Sequence, residues 1–116
     1  MVGNMIIIGD VVGKNVVLVD DIIDTAGTIT KAADLIMEQG AASVRAMCTH
    51  AVLSGKAYDK IEKSALSEVI VTDTLPLKQE SSKIKVLTTA DIIADVINSV
   101  VNCESISSHF KFTTLQ

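Results

Sequence analysis

One stretch, residues 16–28, most constrains what this chain can fold into. Four apolar residues, Val16 to Val19, run without polar alternation into the adjacent carboxylates Asp20 and Asp21. An uninterrupted apolar run of this length is typical of a parallel strand that helices cover on both faces. Because ligands bind at the carboxyl edge of such sheets, we expect the two carboxylates to lie at a binding site.

The residues after the carboxylates predict an anion-binding loop, and all are small or polar: Asp24, Thr25, Ala26, Gly27 and Thr28. Apolar residues follow at helical spacing, so the loop coincides with the N-terminus of a helix. Unpaired backbone N–H groups and the positive end of the helix dipole gather there, which suits a phosphate. The two threonines add hydroxyl donors, while Ala26 and Gly27 allow close approach and a turn with positive φ.

Together, the carboxylates and the loop predict a sugar-phosphate ligand. Asp20 and Asp21 would bind sugar hydroxyls or hold a hydrated Mg²⁺ beside the phosphate. The alternative is an ordinary helix cap at Asp24 or Thr25, with the acid pair as turn residues. A cap needs only one polar residue, whereas here strand, acid pair and loop follow in order, which favours the ligand site.

The rest of the chain alternates between predicted strands and helices. Strands are expected at 5–8, 15–19, 43–48, 68–71 and 84–87, and helices at 28–39, 56–64 and 89–101. Gly40 should end the first helix. The last helix is expected to bury Ile93, Val96, Ile97 and Val100. This alternation predicts an α/β fold, a three-layer sandwich with a mostly parallel sheet, and residues 1–116 form one domain without a linker or repeat.

Charge and composition narrow the classes of function. A net charge of -4 argues against nucleic-acid binding. The apolar run at 5–8 is too short for a signal sequence, and no segment approaches the ~20 apolar residues that cross a bilayer, so we expect a cytoplasmic protein without a membrane partner. Cys48 and Cys103 are too few for a disulfide framework and are expected to be reduced.

Several segments resemble one enzyme family. Residues 16–28 resemble the ribose-5-phosphate loop of phosphoribosyl pyrophosphate synthetases, also called ribose-phosphate diphosphokinases, and more distantly the shared motif of type I phosphoribosyltransferases. The synthetase match continues through IGDVVGK (8–14), THAVLSG (49–55), VTDTLPL (71–77) and ESIS (104–107). Their order and spacing are similar to the C-terminal third of a synthetase subunit.

The resemblance implies a type I phosphoribosyltransferase fold that lacks the N-terminal part of the subunit. It implies an intact protein that transfers diphosphate from ATP to ribose 5-phosphate, with Mg²⁺ as cofactor, to give phosphoribosyl pyrophosphate and AMP. The ribose-5-phosphate ligands would be Asp20, Asp21, Asp24, Thr25, Ala26, Gly27 and Thr28, with Asp20 and Asp21 also binding Mg²⁺. ATP would bind upstream parts absent here, and the family implies a homo-oligomer.

Other polar residues give weaker signals. By resemblance, Ser105, Ser107 and Phe110 match an inter-subunit regulatory site for phosphate or a nucleoside diphosphate; a frayed terminus is the alternative. His50 follows a strand at the same sheet edge as the acid pair, and a structural role is favoured over a catalytic one. Residues 72–74 either line the same cleft or form a capped turn.

No catalytic residue is predicted in this chain. The basic catalytic loop and the Gly-rich pyrophosphate loop of the family are absent, and Arg45, the only arginine, falls in a predicted strand. The chain alone should therefore be inactive. A minimal phosphoribosyltransferase would need a base-binding hood and a pyrophosphate loop that the sequence lacks. A non-catalytic, synthetase-associated regulatory subunit is the other alternative, against which the intact acid pair and loop argue.

Overall fold

A parallel sheet organises residues 5–110, the part of the chain that this computed structural model describes. Its elements are β1 (Asn15–Ile23), α1 (Gly27–Glu38), β2 (Ser43–Ala51), α2 (Ala57–Lys63), β3 (Glu68–Thr72), β4 (Ile84–Leu87), α3 (Ala90–Val101) and a short 3₁₀ helix (Ser107–Phe110). The four strands lie in the order β1-β2-β3-β4, and each neighbouring pair is parallel. The predicted α/β class with its parallel sheet is confirmed.

The parallel register brings the carboxyl ends of the strands to one edge of the sheet. Asp20 pairs with Cys48, and Ile22 pairs with His50 two residues closer to that edge. At the end of β3, Thr72 pairs with Leu87. The segments that follow β1, β2 and β3 therefore start beside one another at this edge.

The core lies between one face of the sheet and the helices α1 and α2. Buried residues alternate along the two central strands: Val44, Ala46 and Cys48 in β2, and Val69 and Val71 in β3. The helices contribute Ile29, Ala33, Ile36, Ala57, Tyr58 and Ile61 to the same cluster. Because strand side chains alternate between faces, this pattern puts both helices on a single face.

The opposite face of the sheet is bare within the described residues. Val17, Val19, Met47 and Leu87 are exposed there, Val19 for 79% of its surface. The prediction that helices cover β1 on both faces is thus wrong for residues 5–110. An uninterrupted apolar strand is compatible with burial on both faces. Burial of the second face also requires a layer of helices or strands that packs against it.

Helix α3 forms as predicted but does not bury its apolar stripe. Ile93, Ile97 and Val100 are exposed, and Val96 is half-buried. Of the helix's own residues, Ser99 alone is buried. The predicted burial is therefore wrong in the described chain, because periodicity specifies an amphipathic helix without specifying the surface that it meets.

Three smaller points concern element ends. Residues 5–8 are irregular rather than a strand, since no neighbouring strand supplies hydrogen bonds, and Ile8 is 97% exposed. Strand β1 runs to Ile23, so the acid pair lies in the C-terminal half of the strand rather than beyond its end. Gly40 follows the α1 C-cap with φ 98°, as predicted for a helix end.

No helix among residues 5–110 is long and apolar enough to span a membrane.

Candidate functional site

An open pocket of about 240 Å³ lies where β1 passes into α1. Its lining residues are Asp20, Ile22, Ile23, Asp24, Thr25, Ala26, Gly27, Thr28 and Ile29. Every predicted ligand residue except Asp21 therefore faces one cavity. The structure brings together the strand end, the loop and the helix N-terminus that the sequence placed in one site.

The N-terminus of α1 opens at this pocket without a side-chain cap. Its N-cap residue is Ala26, and no side chain accepts a hydrogen bond from the first turn. The alternative that Asp24 or Thr25 serves as an ordinary cap is therefore not what the structure shows. The first N–H groups of an α-helix lack intrahelical partners, so here they remain able to bind an anion.

The left-handed turn of the loop falls on Ala26 and not on Gly27. Ala26 has φ 66° and ψ 8°, whereas Gly27 is not among the residues with positive φ. A left-handed alanine costs about 1–2 kcal/mol. The Ala26 carbonyl accepts hydrogen bonds from the Thr30 N–H at 3.1 Å and the Thr30 hydroxyl at 2.6 Å, which hold the turn. The turn therefore does not require a glycine at position 27.

A second segment, residues 52–54, fixes the start of the loop. The N–H groups of Val52 and Leu53 both donate to the Ile23 carbonyl at 3.1 Å, and the Ser54 N–H donates to the Asp24 carbonyl at 2.9 Å. The Ser54 hydroxyl also donates to the Asp24 carboxylate. Ser54 thus orients Asp24, a contact across 30 residues that no local pattern reveals.

The two carboxylates of the acid pair differ in position. Asp20 lines the pocket, and its Oδ1 accepts the Asp21 N–H at 2.8 Å. Successive strand residues point to opposite faces, so Asp21 does not share the pocket. No three His, Cys, Asp or Glu side chains form a metal-binding group within residues 5–110. Mg²⁺ typically keeps several waters and binds one or two carboxylates plus a substrate phosphate, which the Asp20 carboxylate fits.

The polar residues at the ends of β2 and β3 bond to one another. His50 Nδ1 lies 2.8 Å from the Thr74 hydroxyl, and the Thr72 hydroxyl donates to the Thr49 carbonyl at 2.6 Å. These contacts favour the structural interpretation of His50.

Asp73, in the same turn, serves the start of α3. Its carboxylate accepts hydrogen bonds from the Thr88 hydroxyl at 2.7 Å, the Thr89 hydroxyl at 2.7 Å and the Thr89 N–H at 2.9 Å. These bonds lower the pKa of Asp73 to about 2. For Asp73 the structure shows the capped turn rather than a free group in a cleft.

The two cysteines are both free, as expected, but lie in contrasting environments. Cys48 is buried in β2, and Cys103 is exposed after α3. Burial raises the pKa of the Cys48 thiol, and the Asp20 carboxylate raises it further against an opposing hydrogen bond from Ile23. A thiol that resists ionisation is a poor nucleophile, so Cys48 is a packing residue.

The predicted regulatory residues lie at the end of the described chain. Ser105 and Ser107 are exposed, with their hydroxyl oxygens 2.9 Å apart. Phe110 ends the 3₁₀ helix, and its side chain, like residues 111–116, lies outside what the structure describes.

The parallel sheet, with a strand, loop and helix that converge on one pocket, belongs to a phosphoribosyltransferase-type fold, as its similarity to a solved structure shows. A solved structure of similar fold is the phosphoribosylpyrophosphate synthetase from Mycobacterium smegmatis, with a TM-score of 0.80 and 41% identity. The match covers 82% of this chain and 33% of that chain.

The model of the phosphoribosyl synthetase-associated domain matches residues 2–111, and the chain belongs to that family. Curated relatives include ribose-phosphate pyrophosphokinases from Wolinella succinogenes, 59% identical over 106 residues, and Campylobacter jejuni, 58% identical over 106 residues. Each match covers 91% of this chain and 34% of the relative. The chain thus spans about a third of the length of the relatives that it matches.

Proposed function

We propose that this chain is the C-terminal, ribose-5-phosphate-binding domain of a cytoplasmic ribose-phosphate pyrophosphokinase. The whole protein would transfer diphosphate from ATP to ribose 5-phosphate, giving phosphoribosyl pyrophosphate and AMP. The names of the relatives support the reaction. The C-terminal placement is supported by the order of the four segments that resemble the last third of a synthetase.

One observation carries the assignment of the sugar phosphate to this chain. The uncapped N-terminus of α1 opens on a pocket that residues 24–28 line. The phosphate would accept hydrogen bonds from the backbone N–H groups and from the hydroxyls of Thr25 and Thr28. The carboxylates of Asp20 and Asp24 would accept hydrogen bonds from the ribose hydroxyls, and Asp20, the member of the acid pair that lines the pocket, would hold a hydrated Mg²⁺.

Titration of ribose 5-phosphate against the Gly27→Val variant tests the loop. A Cβ at Gly27 makes only ordinary contacts, with the nearest atoms 3.7 and 3.9 Å away, so the variant should fold while its branched side chain fills the space beside the phosphate. We expect affinity to fall at least about tenfold, or 1.4 kcal/mol. The control is Ala94→Val, which adds a similar side chain on exposed α3. Equal affinity in wild type and Gly27→Val would refute the loop assignment.

The acid pair is tested by Asp20→Asn and Asp21→Asn. Each should reduce activity in the full-length protein without loss of thermal stability, because removing one of two adjacent carboxylates also removes their repulsion. Asp20→Asn should have the larger effect, since Asp20 alone of the pair lines the pocket. Unfolding of both variants, with full activity in any that stays folded, would make the pair structural.

A chimera separates the proposed enzyme from a non-catalytic relative. In it, this chain replaces the matching third of the Wolinella succinogenes protein, which is 59% identical to it. We expect the chimera to release AMP from ATP and ribose 5-phosphate. The 116-residue chain alone should release none, because positive charge and nucleotide binding at the transferred phosphates are supplied upstream. Turnover by the chain alone at about 1 per second, an ordinary enzyme rate, would refute the proposed division.

The same chimera tests the regulatory residues. If Ser105 and Ser107 bind phosphate or a nucleoside diphosphate, Ser105→Ala and Ser107→Ala should abolish the response of AMP release to those effectors while leaving the unregulated rate unchanged. An unaltered response would favour the frayed terminus instead.

A further inference from the structure

A lysine from a separate helix lies beside the candidate phosphate loop. The Lys60 Nζ, on α2, is 3.7 Å from the position that a Cβ of Gly27 would occupy. The Thr25 hydroxyl oxygen is 3.9 Å from the same point. The ammonium and a hydroxyl predicted to bind phosphate therefore lie on the same side of the loop.

The pocket is lined by carboxylates, and a nearby cation would favour binding of a phosphate there. Among the described residues, those that line the pocket include Asp20 and Asp24 but neither a lysine nor an arginine. A phosphate monoester carries a charge of about -1.5 to -2 at neutral pH. Backbone N–H groups and hydroxyls donate hydrogen bonds without cancelling the repulsion from the carboxylates. A cation just outside the lining residues would offset that repulsion.

Packing and hydrogen bonds fix the position of Lys60 relative to the loop. Residues 52–54, which lead into α2, are hydrogen-bonded to the carbonyls of Ile23 and Asp24. Ala57 and Ile61, on either side of Lys60 in α2, are fully buried in the core. The backbone of α2 is thereby held beside the loop. The Lys60 side chain itself is exposed, so its ammonium can extend toward a bound phosphate.

We propose that Lys60 is a phosphate-binding residue of this site, its ammonium pairing with the phosphate of the sugar phosphate held by the α1 N-terminus. The inference rests on the proposed function of the loop and extends it to a residue that no local motif indicates. Lysine serves here as a mobile point charge, which suits recognition of a phosphate from the side of the loop rather than from its backbone.

Titration of the chain with ribose 5-phosphate and with inorganic phosphate tests the proposal. Lys60→Gln should weaken both ligands about tenfold, the size expected for loss of one charge-assisted hydrogen bond. Lys60→Arg should retain most of the affinity, and Lys60→Gln should make binding less sensitive to salt than the wild type. The control is Lys85→Gln, with the same change in charge at an exposed position in β4.

The outcomes separate the two proposals. If the wild type binds both ligands and Lys60→Gln binds them equally well, the Lys60 inference is wrong while the loop assignment stands. If Lys85→Gln weakens binding as much as Lys60→Gln, the effect is one of overall charge and the inference is again wrong. If the wild type binds neither ligand, the loop assignment fails and the inference fails with it. Similar thermal unfolding of all variants would establish that none of these results reflects misfolding.

Discussion

Helices α1 and α3 are both 12 residues long and both amphipathic, yet they differ in what they bury. Helix α1 buries Ile29, Thr30, Ala33 and Ile36 against the sheet, whereas α3 buries only Ser99. The same contrast separates the two faces of the sheet within residues 5–110, where α1 and α2 pack on one face and no helix covers the other. A helical pattern of apolar residues therefore predicts the helix, but the stability that the helix contributes depends on the surface against which its apolar face packs.

The largest expected difference comes from trimming one isoleucine in each helix. Ile36→Ala in α1 should cost about 2–5 kcal/mol, because it leaves a cavity in the core. Ile97→Ala in α3 should change stability by less than about 0.5 kcal/mol, since the side chain is 57% exposed. Urea unfolding measures both. Equal losses would mean that α3 is packed in solution and that the contrast between the helices does not hold.

Replacing alanine with glycine should change the free energy of unfolding in opposite directions in the two helices. Ala26→Gly at the α1 N-cap should stabilise by about 0.5–1 kcal/mol, since glycine adopts the left-handed conformation without the steric cost that alanine bears. Ala94→Gly within α3 should destabilise by about 1 kcal/mol through lost helix propensity. Urea midpoints of the two variants test this. Destabilisation by Ala26→Gly would mean that the left-handed turn is absent in solution.

Acid should weaken the attachment of α3 in a defined range. The pKa of Asp73 is about 2 in the folded chain because Thr88 and Thr89 donate to its carboxylate, against an ordinary value of 3.8. A depressed carboxyl pKa contributes stability that is complete above the unfolded value and is lost as pH falls through the folded value. Urea midpoints should therefore fall more from about pH 4 to about pH 2 in wild type than in Asp73→Ala. Parallel declines would show that Asp73 does not tie α3 to β3.

Thiol labelling should distinguish the two regions without altering stability. Cys103, exposed after α3, should react promptly with a thiol reagent, while Cys48 should react only once the chain unfolds. Burial and the raised pKa of Cys48 both reduce the fraction of reactive thiolate. The Cys103→Ser variant isolates Cys48. Prompt labelling of that variant under native conditions would mean that β2 is accessible and that the packed face is less well protected than its burial indicates.

Local sequence determined most of the secondary structure, including the loop at 24–28 that leads into α1. The small and polar residues of 24–28 specify a loop and a helix N-terminus, because φ preferences and unpaired N–H groups are local properties. The apolar run before Asp20 became a strand because β2 pairs with it, whereas the apolar residues 5–8 have no such neighbour and are irregular. The parallel sheet follows from alternating strands and helices. The loop and the helices were predictable because the residues within each of them largely produce its conformation.

Tertiary structure alone decided which partners these local elements meet. The stripe of α3 and the bare face of β1 carry the same apolar signal as the buried surfaces, but burial requires an opposing layer that the pattern does not name. Likewise, the bond from Ser54 to Asp24 and the approach of Lys60 to Gly27 join residues about 30 apart in the chain. Such contacts depend on how β2 and α2 pack beside β1 and α1, so no local preference of the chain encodes them.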